Sequence, residues 1–123
     1  MSADRVPPEK RDGRRYYTRR AVSYGLQENK LLTDYCINIS AGGMFLESIK
    51  ILPPKTELIV KFMLPDCDRF ILSKARVAWA NKLGAIKKES LPPGMGLQFL
   101  DLSLDNLQVI RSFLDKGKLN PTC

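Results

Sequence analysis

Arg14-Arg15-Tyr16-Tyr17-Thr18-Arg19-Arg20 and, about twenty residues later, Asn38-Ile39-Ser40-Ala41-Gly42-Gly43 bound the stretch whose reading decides the fold. The first piece packs arginines around two tyrosines. A guanidinium is a planar fork of donors that fits a phosphate or the O6/N7 edge of guanine, a geometry lysine lacks. The second piece ends a strand: from Leu31 to Ser40, Thr33, Tyr35, Ile37 and Ile39 share one face, and Asp34, Cys36, Asn38 and Ser40 share the other. Period two therefore predicts Asn38 and Ser40 side by side, away from the core. The paired glycines predict a tight bend into Met44–Ser48 and offer bare backbone amides. Both pieces are expected to face one bound anion.

Outward from this stretch, short apolar runs alternate with turn signals. A short strand is expected from Ala21 to Leu26, ended by the polar turn Gln27-Glu28-Asn29-Lys30. After Pro53-Pro54, Leu58, Val60, Phe62 and Leu64 alternate with weaker neighbours, their better apolar face inward; Pro65-Asp66 turns the chain. A strand runs from Phe70 to Ala80, and another from Gly96 to Leu100 after Pro92-Pro93-Gly94. Regularly spaced short strands with Pro/Gly turns predict a mainly β fold, a small antiparallel six-stranded barrel. Leu104, Leu107, Ile110 and Leu114 then give helical spacing behind Ser103, an expected N-cap. Trp79 shares parity with Ala75 and Val77, so the barrel interior is preferred to a ligand contact. For Tyr16 and Tyr17 the sequence leaves both base stacking and packing of the arm open.

The 123 residues suit one domain, long enough to fold without metal, disulfide or partner. The formal net charge of +7 favours anionic partners, and it is uneven. Residues 1–20 hold seven basic residues against Asp4, Glu9 and Asp12, a net +4, while the rest, 13 basic against 10 acidic, carries only +3. A solvated tail has the same count as a phosphate-binding arm. The three cysteines, Cys36, Cys67 and Cys123, have no framework spacing, which favours a reducing compartment. Met1–Pro8 has no signal-peptide core and no run reaches the ~18 apolar residues of a membrane span, so a cytoplasmic protein without membrane attachment is expected. Without histidine, neither a zinc site nor a histidine acid/base is expected.

Arg15-x-x-x-Arg19 with Arg14 ahead of it, then Asn38-x-Ser40-x-x-Gly43, resembles the two-part signature of PilZ domains, bacterial receptors for cyclic dimeric GMP (cyclic di-GMP). Lys74-Ala75-Arg76-Val77-Ala78-Trp79 is similar to the family's strand ending in Val-x-Trp, and Pro93-Gly94-Met95-Gly96-Leu97-Gln98-Phe99-Leu100 to its last strand. Each motif alone is short; their joint order carries the resemblance. It implies a PilZ-like split barrel at 14–115, divided into an arginine-rich arm (14–20), the barrel (21–100) and the helix (103–115), between a flexible N-terminal tail (1–13) and a short tail (116–123). It also implies ligand-binding roles for Arg14, Arg15, Arg19, Asn38, Ser40 and Gly43. Arg15 and Arg19 would grip a guanine edge and a phosphate, and Arg14 would accompany a ligand bound as an intercalated dimer. Asn38 would bond a guanine or hold an arginine, Ser40 would donate to phosphate or base, and Gly43 would admit the backbone. Many family members have Asp where this chain has Asn38, which accepts a hydrogen bond without the charge.

The implied function is a stand-alone, non-enzymatic adaptor that needs no cofactor: the arm orders over cyclic di-GMP and an unknown downstream protein partner reads the change. No DNA partner is expected. The alternatives are a PilZ-fold interaction protein that does not bind the nucleotide, which usually lacks these motifs, and a small-barrel binder of single-stranded nucleic acid. The latter needs aromatics across an exposed strand face, whereas most strand aromatics here are assigned to the core. An enzyme is disfavoured because serines and acids occur singly, without a nucleophile-plus-base spacing.

Overall fold

The computed structural model describes residues 15–64, 69–82 and 92–116. Six strands, β1 (Tyr16–Gln27), β2 (Lys30–Ile39), β3 (Gly43–Glu47), β4 (Glu57–Phe62), β5 (Ile71–Asn81) and β6 (Gly94–Leu100), precede one helix, α1 (Leu104–Lys116). Every strand pairing is antiparallel, and the order β1-β2-β3-β6-β5-β4 closes into a barrel, with β1 joined to β4 over Val22–Gly25. Among the described residues no helix is long and apolar enough to cross a membrane. The mainly β barrel with a C-terminal helix is the architecture expected from the spacing of its strands.

The interior follows lateral rows. Ile39, Met44, Leu97 and Val77 are consecutive partners across β2, β3, β6 and β5, and all are buried. In β4, Leu58, Val60 and Phe62 face inward as their alternation predicts, with Leu64 buried just beyond the strand. Helix α1 plugs one end with Ile110, Phe113 and Leu114. Its first turn is capped as expected, the Asn106 amide donating to Ser103 Oγ at 3.0 Å and the Leu107 amide to the Ser103 carbonyl at 2.9 Å.

Two expectations are corrected here. The first strand, expected from Ala21, begins at Tyr16 and takes in most of the arginine-rich segment: Tyr16 pairs with Ile39 and Tyr17 with Asn38, and the Tyr16 ring meets Phe113 of α1 edge-on at 4.8 Å. Tyr16 thus packs the arm, while Tyr17 is exposed on the outer face. In β2, Thr33 and Tyr35 point outward and Cys36 inward, opposite to the predicted faces. A bulge between Cys36 and Asn38 then switches the parity, so that Cys36 and Ile39 can both be core residues. Burial pushes the Cys36 thiol upward. Arg14, Cys67 and Cys123 lie outside the described residues.

At the other end of the barrel, the buried Tyr24 hydroxyl donates to Asp34 Oδ2 at 2.5 Å and lies 3.0 Å from Ser48 Oγ. Burial, and next the bond to Asp34, push its pKa from 10.0 up to about 12. The fold thus favours the neutral phenol: this stabilisation is complete below pH 10.0 and is lost as pH rises toward about 12. Urea unfolding across that window should show the stability advantage of wild type over Tyr24→Phe shrinking by about 2–3 kcal/mol. A constant difference would contradict the assignment.

Candidate ligand site on the outer face

A second lateral row lies on the outside of the barrel. Tyr17 partners Asn38, Asn38 partners Phe45, Phe45 partners Gly96, and Gly96 partners Trp79. Neighbours in such a row project to the same side of a sheet. The row therefore places Tyr17, Asn38, Phe45 and Trp79 together on the outer face, with Gly96 between the last two. Arg15 and Arg19 share the outward parity of Tyr17.

Trp79 is not in the barrel interior, contrary to its parity with Ala75 and Val77. A bulge between Val77 and Trp79 inserts Ala78 and turns the indole outward, where it remains 36% exposed. It lies over Gly96, where a Cβ would sit 2.1 Å from the indole Nε1, and its ring is tilted against Phe45 at a centroid distance of 5.3 Å. A Cβ on Gly94 would likewise fall 2.7 Å from the Phe45 ring. The two glycines, at i and i+2 of β6, leave a bare strip in which aromatic rings lie against backbone. That period-two pair was the sequence signal for an outward aromatic.

Beside this strip is a cavity of about 190 Å³, lined by Arg15, Ser40, Gly43, Trp79, Gly96 and Gln98 among others. Arg15 Nε donates to Asn38 Oδ1 at 3.0 Å. Asn38, 5% exposed, lies on the outer face as expected but buried there. Because its amide is neutral, it orients the guanidinium without cancelling its charge. Among the described residues Arg15 has no other hydrogen-bond partner.

Ser40 is also buried, and its hydroxyl shapes the turn. Its Oγ accepts from the Gly42 amide at 3.2 Å and donates to the Gly43 carbonyl at 3.4 Å, while its own amide donates to that carbonyl at 2.8 Å. The Gly42 amide is therefore engaged rather than bare. Gly43 is required by close approach: a Cβ there would lie 1.9 Å from the Leu97 carbonyl oxygen of β6.

Arg19 stands apart from this cavity. Its Nη1 pairs with Glu47 Oε1 at 2.9 Å, and its guanidinium lies 4.7 Å from the centre of the Tyr35 ring, further along the same outer face. Arg15, Ser40 and Gly43 thus line one cavity, Asn38 adjoins it through its bond to Arg15, and Arg19 is not part of it. Trp79, Gln98 and Gly96 are among the lining residues that the sequence motifs did not assign. Tyr17, Tyr35 and Trp79 also correct the placement of most strand aromatics in the core, although Tyr24, Phe45, Phe62 and Phe99 are buried.

The PilZ domain family model matches residues 9–116. The chain belongs to the PilZ family. Among curated proteins, none matches the sequence. Solved structures similar to this PilZ chain include the Bacillus subtilis inhibitor of motility MotI/DgrA, at 23% identity and TM-score 0.69 over 86% of this chain and 49% of that one. The PilZ domain of Escherichia coli YcgR with c-di-GMP gives 16% identity and TM-score 0.63 over 85% and 88%, respectively. MrkH, described as a c-di-GMP-dependent transcription regulatory factor, gives 21% identity and TM-score 0.61 over 86% and 50%. This chain thus spans about half the length of MotI/DgrA and MrkH. At these identities the likeness is one of fold.

The two glycine contacts predict different costs. Gly43→Ala forces backbone apart and should cost about 3 kcal/mol in urea unfolding. Gly96→Ala meets a side chain that can swing away, so it should cost less but redden the emission of Trp79, the sole tryptophan. Equal stability losses with unchanged emission would refute this placement of the indole.

Proposed function

We propose that this PilZ domain is a cyclic di-GMP receptor whose binding face is the outer row from Tyr17 to Trp79. The observation that carries the reading is Arg15, oriented by a neutral Asn38 beside a half-open cavity walled by an indole. A guanine has a flat face for Trp79 and an acceptor edge for a guanidinium fork. The cavity is smaller than the ~300–1,000 Å³ typical of pockets that enclose whole small ligands. It suits one base, with the phosphates and second guanine lying along the outer face toward Tyr17 and Arg19. Phosphate would draw Arg19 from Glu47, and Arg14 would complete the cationic group around an intercalated ligand pair.

The protein then acts as an adaptor rather than an enzyme. The ligand favours the state in which residues ahead of Tyr16 close over it, and a protein partner reads the altered charge and shape of that face. A second reading gains support from the exposed Tyr17, Tyr35 and Trp79 beside Arg15 and Arg19: aromatic and basic residues on one strand face also suit single-stranded nucleic acid.

Calorimetric titration of cyclic di-GMP, followed in parallel by Trp79 emission, tests the reading, with GTP and a single-stranded oligonucleotide as controls. Saturable binding of cyclic di-GMP alone is expected, weakened roughly ten- to a hundredfold in Arg15→Ala, in line with the ~1–3 kcal/mol of a bidentate contact. Asn38→Ala should weaken it too, by freeing Arg15. A ratio near two ligands per chain supports the intercalated pair. Salt-sensitive oligonucleotide binding without dinucleotide binding would favour the second reading. Binding of neither would leave a PilZ-fold interaction protein.

A further inference from the structure

The strands that frame the outer-face site carry a different surface at their far ends. β1 pairs with β2 as far as Gln27 with Lys30, but with β4 only as far as Gly25 with Ile59. The tip of the β1–β2 hairpin therefore overhangs the sheet, and the chain leaving β3 passes beside it. Between them lies a groove of about 430 Å³, more than twice the volume of the outer-face cavity. Tyr24, Leu26, Leu32 and Leu52 supply its apolar walls, and Lys30 and Lys50 flank it.

The apolar surface is partly open to solvent, with Leu26 62% and Leu32 46% exposed, and Ile49, next in sequence to the groove-lining Lys50, is 84% exposed. Surface of this kind, contiguous and rimmed by charge, marks an interaction site more often than chance exposure does. Among the described residues the charges that line the groove are both positive. Glu28 sits in the hairpin turn outside the lining, and the nearby Asp34 already accepts the Tyr24 hydroxyl. Neither lysine is ion-paired among the described residues.

The geometry points to a docking groove for an acidic segment of a protein partner. A leucine- or phenylalanine-sized side chain enters between Leu26, Leu32 and Leu52, and flanking carboxylates meet Lys30 and Lys50. A small amphiphile with one carboxylate can meet only one of the two lysines, whereas an acidic peptide crossing the groove can set a carboxylate on each. Leu26 is on the order of 35 Å along β1 from Arg15, so both sites can be occupied at once. The inference stands whether or not the outer face takes a cyclic dinucleotide.

The test titrates ¹⁵N-labelled full-length protein with a synthetic peptide alternating glutamate with leucine and phenylalanine. The same peptide with lysine for glutamate, and decanoate, serve as comparison probes. The acidic peptide should shift the amides of Leu26, Lys30, Leu32 and Leu52 saturably, leave those of Arg15 and Trp79 in place, and bind less tightly as salt is raised. Lys30→Glu/Lys50→Glu, a change at two exposed positions, should weaken binding at least tenfold with the remaining spectrum unchanged. Equal binding of the lysine peptide, binding of decanoate alone, shifts that follow protein concentration instead of peptide, or no shifts would each overturn the proposal.

Discussion

A β-strand alternates its side chains between two faces, and the row from Asn38 to Trp79 on the outer face of this barrel depends on two places where that rule is broken. Ile37 in β2 and Ala78 in β5 are each one residue more than the partner strand can match. Without the first, Cys36 and Asn38 would point the same way; without the second, Val77 and Trp79 would. A bulge costs local pairing, but it lets a strand serve the core at one residue and the surface two residues later. Asn38 and Trp79 thus join one row through Phe45 and Gly96, and the cavity beside them exists because both strands slip by one.

The same irregularities separate what could be read in the sequence from what could not. The barrel, the order of its strands along the chain, the inward set of β4 and the Ser103 cap all follow from local patterns that tertiary contacts leave intact. The gathering of Arg15, Asn38, Ser40 and Gly43 was legible as motif order. The faces of Thr33, Tyr35 and Trp79 were not, because parity counting assumes an unbroken alternation and one inserted residue inverts every face beyond it. The extent of β1 was missed for another reason. Arg14 to Arg20 is rich in arginine and reads as an arm outside the barrel, yet Tyr16 finds its partner in Phe113, at the opposite end of the chain.

Asn38 illustrates how a buried group tunes an exposed one. A carboxylate there would hold the arginine more strongly but would lower the positive potential that an anion meets. The amide keeps orientation and charge separate: Asn38 fixes the Nε side of Arg15, and the unspent charge belongs to the Nη side. Ser40 contributes differently. Its hydroxyl is occupied within the Gly42-Gly43 turn, so it sets the path that brings Gly43 against Leu97.

The anchoring of Tyr16 on α1 also limits how a ligand can change this domain. Segments that fold on binding draw their ordering cost from the interaction energy. Tyr16, Tyr17 and Arg20 are already paired with β2, so a ligand at Arg15 would have little of that cost to meet within β1. Within β1, what remains adjustable is the exposed pair of Arg19 and Glu47, an interaction of a class typically worth about 0–1 kcal/mol. A contact that weak would yield readily to a phosphate, and its exchange would free a carboxylate on β3 beside Tyr35. The signalling proposed for this face would therefore need no refolding of the strand: replacing one surface ion pair would alter the charge a partner meets, while Phe113 keeps Tyr16 in place.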